Sequence, residues 1–225
     1  MNILSSTRFE AAMVDLDGTM IDTVGDFEVA LGQALADLGF SPVSRAFIAR
    51  TVGKGSEHLL TRTLAEVGAP ASAYDAGWAR YQHHYLAVNG QHSTVFPGVV
   101  EGLKVLKARG LKLACLTNKP TAFAMPLLEA KGLAGFFDVA FGGDAFERKK
   151  PDPLPLLKTC EALGSEPART LMVGDSSNDA QAARAAGCPV VLLSYGYNHG
   201  EPVASAGADA VLDRIDELGS LLLAH

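Results

Sequence analysis

The chain has 225 residues, 48% apolar and 20% charged, with 23 Gly and 11 Pro. That length and composition suit one large or two modest globular domains and exclude a disordered or fibrous chain. A net charge of −6 has the wrong sign for binding by counterion release from nucleic acid, and argues equally against an anionic membrane partner.

Residues 1–10 hold neither a basic leader nor an apolar signal core, so a cytoplasmic location is the expectation. Ala11-Ala12-Met13-Val14 reads as a short buried strand that runs into Asp15-Leu16-Asp17-Gly18-Thr19. From Asp22 to Asn89 the apolar residues recur at helical spacing: Phe27, Leu31, Leu35, Leu38, then Leu59, Leu60, Leu64, Val67, then Trp78, Tyr81, Tyr85. Turn chemistry at Gly39, Ser41-Pro42, Gly53, Gly55 and Gly68 to Pro70 divides this stretch into about four helices.

After Phe96-Pro97-Gly98 the rhythm changes. A helix over Val99 to Arg109 precedes a strand over Leu111 to Leu116 and a helix over Thr121 to Lys131. Further strands are predicted at Val139 to Phe141, Thr170 to Val173, Pro189 to Leu193 and Ala210 to Leu212. Strand and helix alternating in this way predict an α/β fold, a Rossmann-like, doubly wound, mostly parallel sheet. Its first strand lies before the helical stretch, so residues 1–21 and 95–225 are expected to form a discontinuous core and residues 22–94 an inserted α-helical cap. The longest apolar runs, such as Val190 to Leu193, are far short of the roughly 18 residues that span a bilayer. Cys115, Cys160 and Cys188 are widely spaced without a CxxC, which suits buried reduced thiols better than a zinc site or disulfide framework.

Ligands of open α/β sheets sit at the carboxyl ends of the strands. Four runs fall at such ends or open a later helix: Asp15 to Thr19, Thr117-Asn118-Lys119, Lys149-Lys150-Pro151, and Gly174 to Asp179. Asp15 and Asp17, two apart, point to one side of an extended backbone at roughly 7 Å between Cα atoms. Two carboxylates that close need a cation between them or a retained proton. Asp175 adds a third acidic oxygen, and oxygen-only ligation with few protein donors suits Mg²⁺. Lys150 and the hydroxyl of Thr117 complete a site for a multiply anionic ligand such as a phosphate monoester. Its hydrolysis would divide among an in-line carboxylate nucleophile, a metal, a lysine and an acid for the leaving alcohol.

Taken alone, Asp-x-Asp-Gly-Thr could be a turn and Gly174 to Asp179 the cap of the following helix; the four runs together resemble the signature of the haloacid dehalogenase superfamily of phosphohydrolases. The resemblance spans Asp15 to Asp179 and includes a helical insert where that superfamily's first type of cap lies. It implies Asp15 as a nucleophile forming an aspartyl-phosphate, Asp17 as general acid and base, Thr117 and Asn118 as phosphate binders, and Lys150 as the neutralising cation. It also implies a magnesium site from the Asp15 carboxylate, the Asp17 main-chain carbonyl and Asp175, with Asp179 in support. Thr51 to Gly55, Ser93 to Val99 and Lys149 to Pro153 are similar to the bacterial phosphoglycolate phosphatases, a branch whose members would imply 2-phosphoglycolate as substrate. A phosphatase for sugar phosphates or nucleotides, a sugar phosphomutase and a non-catalytic binding module stay as alternatives.

Lys54, between two glycines ahead of a helix starting near Ser56, is expected to bind an anionic substrate group such as a carboxylate, with Arg62 further along the same helix. Trp78, Tyr81 and Tyr85 are expected to pack the cap. His83 and His84 lack a third ligand for zinc, and His58, His92 and His199 carry no readable signal.

Overall fold

The computed structural model describes residues 3–222. It opens with α1 (Ile3–Ser6), β1 (Ala11–Val14) and the two-residue β2 (Ile21–Asp22). Four helices follow, α2 (Val24–Asp37), α3 (Arg45–Thr51), α4 (Ser56–Glu66) and α5 (Tyr74–Val88), before the chain returns through β3 (Thr94–Val95). The rest alternates: α6 (Val99–Ala108), β4 (Lys112–Leu116), α7 (Thr121–Ala130), β5 (Val139–Phe141), α8 (Leu154–Leu163), β6 (Thr170–Gly174), α9 (Ser177–Ala186), β7 (Val190–Leu193), β8 (Ala210–Leu212) and α10 (Leu218–Leu221).

The six long-range strands form one parallel sheet in the order β5-β4-β1-β6-β7-β8. This is the α/β doubly wound core expected from the alternation. The side chains of β1 divide between its two faces with period two. Ala12 and Val14 join an apolar cluster with Leu103, Leu106 and Leu127, while Ala11 and Met13 join another with Leu156, Ala180 and Ala183. Both faces are covered by helices, so β1 is buried throughout, as a central parallel strand must be.

The register sets up the site. Val14 lies level with Cys115 of β4 on one side and Val173 of β6 on the other. The residues that follow these three strands therefore leave the sheet along one edge, at the point where successive connections depart to opposite sides of β1.

Helices α2 to α5 share a third apolar cluster, built on Phe27, Leu31, Leu35, Leu59, Tyr81 and Tyr85. Tyr85 stacks obliquely on Phe27, with ring centroids 5.3 Å apart. Phe123, at the start of α7, enters the same cluster 4.7 Å from the Tyr85 ring and so seats the helices on the sheet domain. The chain enters and leaves this block through an antiparallel ribbon pairing Ile21 with Val95 and Asp22 with Thr94. Two-residue strands carry no periodicity, which is why the sequence pattern did not reveal them. The fully buried Asp26 fastens the exit, its carboxylate accepting from the amides of Gly90 (2.8 Å) and His92 (2.7 Å). Among the described residues no helix is long and apolar enough to cross a membrane.

Replacing Asp26 by Ala leaves two backbone donors without their charged acceptor, a loss of about 3 kcal/mol. Urea unfolding of Asp26→Ala should show a lower midpoint at an unchanged slope; an unchanged midpoint would remove Asp26 as the fastening.

Candidate active site

The site begins where β1 ends. The Asp15 amide still donates to Val173 of β6 (2.9 Å), so the backbone stays in the sheet for one more residue. The chain then turns tightly: the Leu16 carbonyl accepts from Met20 (2.9 Å) and Ile21 (3.0 Å), and the Gly18 amide donates to Ile21 (2.9 Å). Gly18 adopts φ +83°, and a Cβ there would run into the Asp175 carboxylate, so both conformation and space require glycine.

Lys150 joins three of the four sequence stations. Its buried ammonium lies 3.1 Å from Asp15 Oδ1, 2.7 Å from Asp179 Oδ1 and 2.8 Å from the Leu116 carbonyl at the end of β4. Asn118 holds the Lys150 backbone: its amide oxygen accepts from Lys150 N (3.0 Å) and its amide nitrogen donates to Lys150 O (2.8 Å). The same nitrogen reaches the Gly53 carbonyl in the loop between α3 and α4 (2.9 Å). Asn118 is therefore an organiser of the site's backbone as well as a cavity-lining residue.

Asp179 is committed on both oxygens. One takes Lys150; the other accepts from the amide (3.1 Å) and hydroxyl (2.9 Å) of Ser176, closing a capping box at the start of α9. Ser176 is thus the helix cap. Asp175, just after β6, accepts from Thr19 Oγ1 (2.8 Å) and the Tyr197 amide (2.5 Å). Asp15, Asp175 and Asp179 each offer an oxygen within 4.8 Å of the other two.

Asp17 pairs with a residue to which the sequence assigned no role. Lys119 Nζ lies 2.9 and 3.3 Å from the two Asp17 oxygens, with a fully buried side chain. The ammonium sits over the rings of Phe27 (4.4 Å) and Tyr85 (4.7 Å), a cation held between two aromatic faces from the helical block. Its position in Thr117-Asn118-Lys119, directly after a strand end, was the available signal. The loop after β7 was also missed. Tyr195 Oη donates to the Thr19 carbonyl (2.7 Å), Tyr197 Oη bonds to Asp22, and a Cβ on Gly196 would overlap the Asp175 side chain. The rule that chemistry gathers at strand carboxyl ends applies to this loop too.

Asp15, Asp17, Thr117, Asn118 and Lys119 line one cavity, closed from above by Phe27, Gly53, Gly55 and Ser56 of the helical block. Its free volume is only about 20 Å³. Lys54 stands between two of these glycines, yet its side chain lines a neighbouring outer cavity with His58 and His199.

Four carboxylates (Asp15, Asp17, Asp175, Asp179) and two ammoniums (Lys119, Lys150) are buried together. Burial raises the Asp15 pKa to about 7, with Asp179 and Asp17 adding to the rise and Lys150 opposing it. Burial likewise lifts Asp175 well above the carboxylate range, and Asp179 and Asp15 push it further. Lys150 moves up: burial alone would lower it, but Asp15 and Asp179 outweigh that effect. A surplus of negative charge on hard oxygen donors, with no nitrogen or sulfur in the cluster, fits a divalent cation.

Residues 12–193 match the family model of the haloacid dehalogenase-like hydrolases, and the chain belongs to that family. It is 43% identical over 211 residues to a phosphoglycolate phosphatase of Thiobacillus denitrificans, covering 92% of this chain and 93% of that protein. It is 42% identical to the plasmid phosphoglycolate phosphatase of Cupriavidus necator, over 94% of this chain and 92% of that one. A crystal structure from Haemophilus somnus, described as a predicted phosphoglycolate phosphatase, superposes with a TM-score of 0.89 at 32% identity, covering 94% and 97% of the two chains.

Removing one partner of the Lys119–Asp17 pair strands a buried charge, a cost of about 3–5 kcal/mol. Lys119→Met should therefore lower the denaturant midpoint strongly, and adding Asp17→Asn should recover part of the loss. A double-mutant cycle with no coupling between the two would contradict the pairing.

Proposed function

We propose that the chain is a Mg²⁺-dependent phosphatase that hydrolyses a small phosphate monoester through an aspartyl-phosphate, with 2-phosphoglycolate as the substrate. The observation that carries the reading is the Lys150 ammonium, 3.1 Å from Asp15 just past β1 and 2.7 Å from Asp179 in the first turn of α9. The relatives' names supply the substrate. Phosphate-ester hydrolysis demands large accelerations, and a preorganised set of charges around the phosphoryl group is the main means available.

In this reading an Asp15 oxygen attacks phosphorus while the bond to the ester oxygen breaks, and Asp17 delivers a proton to the departing alkoxide. Asp17, now a base, takes a proton from water as that water attacks the aspartyl-phosphate; inorganic phosphate leaves and Asp15 is regenerated. Lys150 offsets charge on Asp15 and on the phosphoryl oxygens, and Thr117 and Asn118 bind those oxygens. Asp15, Asp175 and the Asp17 main-chain carbonyl would hold Mg²⁺, with Asp179 positioning Lys150 and the Asp175 loop. The ion supplies Lewis-acid stabilisation of the phosphoryl oxygens. Lys119 orients Asp17 from the opposite side.

Residues 22–94 act as the lid. The cavity is too tight for an ester, so the lid must part from the core to admit substrate and then exclude bulk water. The contacts to be broken are those of Gly53 with Asn118 (2.9 Å) and Asn178 (3.2 Å), and the ion pair of Glu57 with Lys149 (2.8 Å).

Asp15→Asn should lose turnover while keeping the fold, read by circular dichroism; normal turnover would remove Asp15 from the chemistry. Mg²⁺ at 100 times its dissociation constant should stabilise the wild type by about 2.7 kcal/mol, read as a rise in Tm. Asp175→Asn should lose that rise, and a rise of equal size would place the ion elsewhere. Phosphate release from a panel of 2-phosphoglycolate, sugar phosphates and nucleotides, with Mg²⁺ and with chelator, tests the substrate. A preference for another ester would overturn 2-phosphoglycolate and leave the phosphatase reading intact.

A further inference from the structure

We propose that the chain carries a second anion site, separate from the catalytic cavity, which takes a phosphate-class dianion. The site is the outer cavity of about 220 Å³ lined by Arg50, Lys54, His58, Arg62 and His199, with Glu66 as the one acidic side chain on its wall. Arg50 lies in the last turn of α3, Lys54 in the following loop, and His58, Arg62 and Glu66 occupy successive turns of α4. His199 reaches in from the loop after β7 and is the one non-glycine residue with positive φ (53°) among those described.

Arg50, Lys54 and Arg62 are exposed at the rim of this cavity, and their charge favours an occupant of opposite sign. Three permanent cations face one carboxylate, in a chain whose net charge is −6. Among the described residues Arg50, Lys54 and Arg62 have no carboxylate within ion-pair distance, whereas Arg45 and Arg80 of the same helical block pair with Glu28 (3.1 Å) and Asp37 (3.8 Å). The crowding is felt locally. Burial, then Lys54 and Arg62, hold the His58 imidazole below its ordinary pKa, and burial followed by Lys54 does the same to His199. The uncompensated charge matches a dianion, and the guanidinium forks of Arg50 and Arg62 suit tetrahedral oxyanions. The volume admits a phosphate or a small phosphorylated molecule.

The site communicates with the catalytic cavity through one loop. His199 Nε2 lies 3.1 Å from Asn178 Nδ2, which reaches the Gly53 carbonyl at 3.2 Å; Asn118 reaches the same carbonyl at 2.9 Å. Gly53 and Gly55 line the catalytic cavity while Lys54, between them, lines the outer one. An anion bound outside therefore acts on the segment that must move to admit substrate.

Histidine ring signals of the full chain with Mg²⁺, followed by NMR during titration with inorganic phosphate, test the site. His58 and His199 should shift saturably, while His83 and His92 stay still. Methylphosphonate in a parallel titration separates free phosphate from a phosphoryl group carried on a larger molecule: comparable affinity assigns the site to both, and a response to only one of them names its source. Arg50→Ala combined with Arg62→Ala should weaken the response about tenfold or more, and Glu66→Gln should tighten it. Stationary His58 and His199 signals across the whole phosphate titration, or an unchanged affinity in the double variant, would overturn the proposal. The readout needs no turnover, so failure of the phosphatase reading and failure of this site are distinguishable.

Discussion

A buried ammonium between two carboxylates holds the catalytic edge together. Lys150 meets Asp15 from β1, Asp179 from α9 and the last carbonyl of β4, so one side chain ties three separate segments to one point. Burying such charges is costly unless each is paired and hydrogen-bonded. Here the pairing is supplied by the capping box at Ser176, the Asn118 clamp and the tight turn at Gly18. Two cations among four acids leave the cluster negative; burial first, and then the neighbouring acids, raise the pKa values of Asp15 and Asp175. A divalent ion and a phosphoryl group are the complementary pair for such a site.

The second ammonium, Lys119, makes the corresponding connection to the helices. Its partner Asp17 belongs to the turn after β1, but the rings beneath it, Phe27 and Tyr85, belong to the helical block. Proton transfer and lid position are thus physically joined in the proposed enzyme, because displacing the lid takes the aromatic faces away from the cation that orients Asp17. Phe123 adds an apolar anchor to the same junction. The outer basic cavity bears on the lid from its other side, through Gly53.

The sheet was legible because parallel strands buried on both faces must be apolar runs, and runs such as Ala11 to Val14 and Val190 to Leu193 can hardly be anything else. Asp15, Asp17, Thr117, Asn118 and Asp175 were legible because ligands of open α/β sheets gather just past strand ends, whereas Lys150 and Asp179 stood out only through the resemblance of the four runs taken together. Features assembled from several distant segments were not. The aromatic enclosure of Lys119 needs Phe27 and Tyr85 from different helices, and the Asp175 loop needs Gly196 and Tyr197 from beyond β7. His58 and His199 gain meaning only when α4 and that loop meet. The glycines around Lys54 marked a loop that lines both cavities, but the direction of its side chain is a product of packing that no local pattern encodes.

The stereochemical course at phosphorus tests the central claim most directly. A substrate carrying a thiophosphoryl group made chiral with two oxygen isotopes would be hydrolysed in water of the third isotope and the configuration of the product thiophosphate analysed. Attack by Asp15 followed by water inverts the centre twice, so the account predicts net retention. Net inversion would mean that water attacks the ester in one step and that the carboxylate beside Lys150 is not the nucleophile.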